Sequence, residues 1–127
     1  MQPLNPADVV TTLLAAGPRG EFAPSFVRFF VRAWRDPVTG PRLQAVMRSA
    51  VSTEHGAALI RELAEDVLLT LVADALGVSQ LRAATAMTHL IGLMIGSTIT
   101  SIEPLASAPE DELVELVSPA IARYLNP

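Results

Sequence analysis

Apolar residues recur along this chain at the three- and four-residue spacing of helices, and residues that start or stop helices bracket each recurrence. Asn5-Pro6-Ala7-Asp8 predicts an N-cap, a first-turn proline and an acid at the positive end of a helix. That helix is expected to run to about Ala16 and stop at Gly17-Pro18. A second helix is predicted from a Ser25 cap to Asp36-Pro37, with Phe26, Phe30 and Trp34 on one face and Arg28, Arg32 and Arg35 on another. Pro41 opens a third, with Leu43, Val46, Met47, Ala50 and Val51 directed inward.

The strongest periodicity follows Thr53-Glu54-His55-Gly56. Leu59, Ile60, Leu63, Val67, Leu68, Leu71, Val72, Ala75 and Leu76 form an apolar stripe, and Arg61, Glu62, Glu65, Asp66 and Asp74 form its wet face. Gly77 closes this helix and Ser79 caps the next, predicted to reach about Glu103. The last helix opens on Ser107-Ala108-Pro109-Glu110, a capping-box pattern, with Glu110, Asp111 and Glu112 in its first turn. Its stripe is Leu113, Leu116, Val117, Ala120, Ile121, Tyr124 and Leu125, with Pro119 expected to kink it. No segment alternates as a strand does. The expected fold is all-α, about six helices in one domain over residues 1–127.

From Ala83 to Ile102 the pattern changes, because no residue there carries a formal charge. Such a run meets the length of about 20 residues that a bilayer requires, and Gly92 and Gly96 have the spacing found where membrane helices touch. Its hydroxyls argue against lipid: Thr85, Thr88, Ser97, Thr98, Thr100 and Ser101, together with His89. No aromatic belt flanks it, and the N-terminus lacks the basic and apolar regions of a secretory signal. The expectation is a helix of a soluble cytoplasmic protein, uncharged because protein covers it on all sides, with no membrane partner.

Composition narrows the chemistry. Net charge is −4, and all nine basic residues are arginine. Without a basic excess the chain is not expected to bind nucleic acid by itself. There is no cysteine, which removes disulfides, thiolate metal sites and cysteine nucleophiles. His55 and His89 have no partner at metal-binding spacing, and no nucleophile elbow, phosphate loop or dinucleotide fingerprint is present. Neither catalysis, a metal nor a cofactor is expected. His89 reads either as a hydrogen-bonded buried histidine or as a group that meets a ligand carboxylate or hydroxyl.

Two features point to recognition. Phe26, Phe30 and Trp34, with Met47, Met87 and Met94, are candidates to line an apolar pocket or simply to pack the core. Gly92 and Gly96 let another backbone approach closely, either a partner subunit or another part of the same chain. The Arg28/Arg32/Arg35 face is expected to pair with acids of a neighbouring helix.

The segments Phe29-Phe30-Val31-Arg32-x-Trp34-x-Asp36-Pro37, Ile102-Glu103-Pro104-Leu105-Ala106-Ser107 and Ser118-Pro119-Ala120-Ile121-x-Arg123-Tyr124-Leu125 resemble the C-terminal half of tetracycline-repressor (TetR) type transcriptional regulators. The similarity runs from about Ala7 to Leu125. It implies a domain that binds an apolar or amphipathic small-molecule effector and forms a homodimer, its last two helices pairing with their mates as a four-helix bundle. The implied effector pocket falls among Phe26, Phe30, Trp34, Met47, Met87, His89 and Met94. The implied dimer interface involves Gly92, Gly96, Ile99, Leu113, Leu116, Val117, Ala120, Ile121 and Tyr124. Residues 1–24 hold no three-helix tract and no basic recognition helix. The resemblance therefore implies a regulatory half without its DNA-reading half.

Overall fold

The computed structural model describes residues 6–15, 17 and 19–126. Asn5, Ala16 and Pro18, where the first helix was expected to begin and end, lie outside them. The described residues form six helices: α1 (Pro6–Ala15), α2 (Phe22–Arg35), α3 (Thr39–Ser52), α4 (Glu54–Leu76), α5 (Gln80–Ile99) and α6 (Glu110–Leu125). Wider π-type turns occupy Ala64–Leu69 within α4 and Ile95–Ile99 at the end of α5. The all-α expectation holds.

Helix α2 is the centre of the assembly. It packs most extensively on α6 and also meets α1, α3 and α5. Phe22, Phe26, Val27, Val31 and Trp34 of α2 are buried with Val72 and Leu76 of α4, Ala83, Leu90 and Met94 of α5, and Leu113, Val117 and Ile121 of α6. The α2 aromatics form a ladder at four-residue spacing. Phe22 stacks on Phe26 at 5.2 Å, Phe26 meets Phe30 edge-on at 4.9 Å, and Phe30 meets Trp34 at 6.0 Å.

Several boundaries depart from expectation. Helix α2 starts at Phe22 instead of after Ser25, led in by a short 3₁₀ turn at Arg19–Glu21. Pro24 falls in its first turn, where its missing N–H has no intrahelical use, and burial of Phe22 and Ala23 draws the turn inward. Helix α3 opens at Thr39 instead of Pro41. The Asp36 carboxylate accepts hydrogen bonds from the Thr39 N–H at 2.8 Å and the Val38 N–H at 2.9 Å. Val46 and Val51, expected inward, are 45% and 74% exposed.

These bonds, first from Thr39 and then from Val38, hold the Asp36 carboxyl below its ordinary value of 3.8. A depressed carboxyl contributes stability at pH values above its unfolded titration range and loses it as pH falls through and below that range. Asp36→Ala is therefore expected to lower the thermal midpoint at pH 7, with the difference from the parent narrowing as pH falls below the ordinary carboxyl range. Paired melting curves across that range would show it.

The Ser79 and Gly77 expectations hold, a cap at Thr53 joins them, and the Ser107 capping box, like the Ser25 cap, fails. The Thr53 hydroxyl accepts from the Gly56 N–H at 2.9 Å, and the Ser79 hydroxyl accepts from the Arg82 N–H at 3.2 Å. Gly77 takes a φ of +69°, and the Val78 N–H reaches the Ala73 carbonyl at 3.1 Å, closing α4 as a left-handed C-cap should. The capping box before α6 does not form. The Ser107 hydroxyl and backbone N–H donate instead to the Glu103 carboxylate, at 2.6 and 2.9 Å, folding the connecting loop onto itself. This loop begins at Thr100, so α5 ends earlier than its uncharged sequence suggests. Its Glu103-Pro104 peptide is cis. Helix α6 continues through Pro119 without a break; Pro119 and Glu115, whose carbonyl it leaves unmatched, both lie on the exposed side.

Helix α4 buries Val72 and Leu76 in its second half, whereas Leu59 and Leu63 in its first half are 53% and 42% exposed. The side chains of Val67 and Leu68 are not among those described. No single helix among the described residues is long and apolar enough to cross a membrane. Helices α4 and α5 reach that length and composition only as a pair, and they are bent by 116° at their junction.

Candidate functional site

Helix α5 presents two faces of different character. Ala83, Ala86, Met87, Leu90 and Met94 turn inward and are buried. One half-turn round, Leu81, Thr85, Thr88 and Gly92 recur at three- and four-residue spacing on the exposed side, with Leu81 77% exposed. Within the chain, packing reaches only one side of this uncharged helix. The result is a solvent-facing helix surface that carries no charge between Arg82 and Glu103.

The adjoining edge of α6 continues it. Leu116, 74% exposed, is followed at four-residue steps by Ala120 and Tyr124, both half-buried. Leu113, Val117 and Ile121, also implied at the interface, instead face the chain's own core at 4%, 6% and 0% exposure. Core packing by α2 and α5 occupies that side of α6, so Leu116, Ala120 and Tyr124 are the ones left for a partner. The glycines divide in the same way. A Cβ built on Gly92 meets no atom within 4 Å, whereas one on Gly96 lies 3.2 Å from the Leu105 side chain. Leu105, from the folded connecting loop, already fills the approach to Gly96. Ile99 is half-buried at the end of the same helix.

Two contacts hold α5 and α6 in register. The Arg82 guanidinium donates to the carbonyls of Arg123, Asn126 and Tyr124, at 2.9, 3.2 and 3.3 Å, closing the negative end of α6. Two turns further along α5, His89 Nδ1 and the Tyr124 hydroxyl lie 3.4 Å apart, their rings 5.9 Å apart at 61°. Between these contacts, Leu81, Ala84, Thr85, Thr88, His89 and Tyr124 line an open groove of about 500 Å³.

The residues expected to surround an effector gather at the core, except for His89. Phe26, Trp34 and Met94 are buried in the core, Met87 is 8% exposed on the same side of α5, and Phe30 and Met47 pack partly against the core. His89 belongs to the opposite, outward side of α5 and joins the groove instead. A second cleft of about 500 Å³ lies between α1 and α2, where Leu13, Pro24, Phe29 and Ala33 meet Arg28, Arg32 and Asp36. Periodicity placed the aromatic face correctly on α2. It could not say whether space was left beside it.

The arginine face of α2 pairs with acids as expected. Arg28 Nη1 lies 2.7 Å from Asp111 and 3.3 Å from Glu110, and Arg32 Nε lies 2.6 Å from Glu110. Arg35 donates to the Ala108 carbonyl at 2.6 Å. The hydrogen bond to Asp111 is the main cause that raises the Arg28 pKa above its ordinary value, and the charges of Asp111 and Glu110 add to it. These pairs are exposed and individually weak. Their consequence is geometric, for they seat the first turn of α6 on α2. Sequence reasoning missed Leu81, Thr85 and Thr88, although their spacing with Gly92 is a helical row visible without a structure. Among the described residues no group of three or more acids and histidines gathers that could hold a metal ion.

Residues 20–125 match the family described as tetracyclin repressor-like, C-terminal domain. No curated protein and no solved structure matches the chain.

Proposed function

This chain belongs to the tetracyclin repressor-like C-terminal domain family, and on that premise we propose that it is the effector-binding and dimerisation domain of a cytoplasmic transcriptional regulator. Two copies pair through α5 and the adjoining edge of α6. The observation that carries this reading is the exposed, uncharged row Leu81, Thr85, Thr88 and Gly92 beside Leu116 and Tyr124. A helix face without charge gains nothing from water that a second uncharged face would not supply, and apolar surface such as Leu81 and Leu116 gains about 25 cal/mol per Å² on being covered. The effector is an apolar or amphipathic small molecule held among the helices around Phe30, Trp34, Met47 and Met94. In the intact regulator its binding would shift α1 and so the spacing of two DNA-reading heads, through unequal affinity for two conformations. The domain alone binds neither nucleic acid nor membrane, and it catalyses no reaction.

A second reading is a helical dimerisation module with no small-molecule ligand. What favours it is the direct ring-to-ring contact of Phe26, Phe30 and Trp34, which fills the space an effector would need. Light scattering and a thermal-shift screen of apolar compounds separate the two readings. A dimer is expected at micromolar concentration, and a monomer there would overturn the pairing. An effector present at about 100 times its Kd adds about 2.7 kcal/mol of stability and changes Trp34 fluorescence. A dimer that no compound stabilises would leave the ligand-free module standing.

A further inference from the structure

The outward face of α5 contains one side chain that can gain a charge near neutral pH, and it sits where two copies would meet. His89 is half-buried in the α5/α6 groove, three residues from Gly92 and so about 4.5 Å along the helix from it. If backbones approach most closely at Gly92, the imidazoles of both copies flank that crossing. Resting on the proposed pairing through α5 and α6, we infer that this pairing is proton-sensitive, with His89 as the sensor that must stay neutral for two copies to hold.

The surroundings decide the direction. From α6 the titratable group facing His89 is the Tyr124 hydroxyl, 3.4 Å from Nδ1. From α5 itself the nearest charge is Arg82, whose guanidinium is occupied by the carbonyls ending α6. Arg123 on α6 is also cationic, and its side chain is not among the groove's walls. Helices α2, α3 and α4 supply no residue to those walls. An imidazolium covered by a second copy would thus lose water and find no carboxylate in the groove. The Tyr124 hydroxyl can donate to neutral Nδ1, and a protonated Nδ1 removes that acceptor.

The dimer then binds fewer protons than two separated chains. Its affinity is full while the imidazoles are neutral and falls once pH is low enough to protonate them. Acidification would release regulator pairs into single chains.

Sedimentation equilibrium of the chain and of His89→Gln at pH 7.5 and pH 5.5 tests this, with helix content checked by circular dichroism at both values. The expected result is a parent Kd that rises about tenfold or more at pH 5.5 with helix content unchanged, while His89→Gln has the same Kd at both values. His55 remains in that variant, so its titration is controlled for. A parent dimer whose Kd does not change, or a variant as pH-dependent as the parent, overturns the inference but leaves the dimer intact. A chain monomeric at both values overturns the dimer reading and this inference with it.

Discussion

Gly92→Leu is expected to raise the dimer Kd by at least about thirtyfold while leaving each chain as stable as before or slightly more so. The two effects have separate causes. Glycine at a helix interior costs about 0.8–1 kcal/mol relative to alanine, and Leu is a strong helix former. A Cβ at this position meets no atom within 4 Å, so the substitution strains nothing inside the chain. Between two copies the new side chain separates backbones that would otherwise touch, and central interface positions commonly cost 2 kcal/mol or more when altered. Light scattering gives the first quantity and urea unfolding at low concentration the second. A variant that stays dimeric would move the interface off α5. The equivalent change at Gly96 has no such clean reading, because Leu105 lies 3.2 Å from where the Cβ would stand.

The second large effect is expected from Ile121→Ala, which should cost about 2–5 kcal/mol of chain stability. Ile121 is 0% exposed and sits in the cluster shared by α2, α4, α5 and α6. Removing its terminal carbons leaves a void among side chains that cannot all relax into it. Against a total stability of roughly 5–15 kcal/mol for a domain, that loss is a large share. Leu116→Ala provides the contrast. Leu116 lies on the same helix at 74% exposure, and its truncation should change chain stability by no more than about 0.5 kcal/mol. Urea unfolding of both variants in the Gly92→Leu background removes the contribution of subunit pairing, which otherwise adds to apparent stability by mass action. Equal losses at the two positions would contradict the inward and outward assignment of α6.

Much of the fold was legible because its signals are local. Thr53 and Ser79 cap their helices through hydroxyls that accept from N–H groups three residues on, and Gly77 ends α4 in the conformation that glycine alone adopts cheaply. The failures have local competition as their cause. Ser107 can satisfy either the first turn of α6 or Glu103, and the loop geometry gives it to Glu103. Asp36 reaches forward to start α3 before Pro41, an option that a proline-based reading overlooks. Apolar spacing also could not separate Leu113 from Leu116. Both belong to one stripe in the sequence, and only the position of α2 decides that one is buried and the other bare.

By itself, the sequence determined the class of structure, the number of helices, that the arginine face of α2 pairs with acids of a neighbouring helix, and the family. These follow from periodicity, caps and recognisable segments, all of which act over a few residues or along one element. The tertiary structure alone decided which side of the uncharged α5 helix remains open, that Gly96 is spoken for by Leu105 while Gly92 is not, and that His89 belongs with Tyr124 instead of with the aromatics of α2. Helical periodicity says which residues share a face; it does not say what covers that face. That depends on where distant helices dock, and α2 docks against one side of α5 and α6, leaving the uncharged outer side of α5 uncovered.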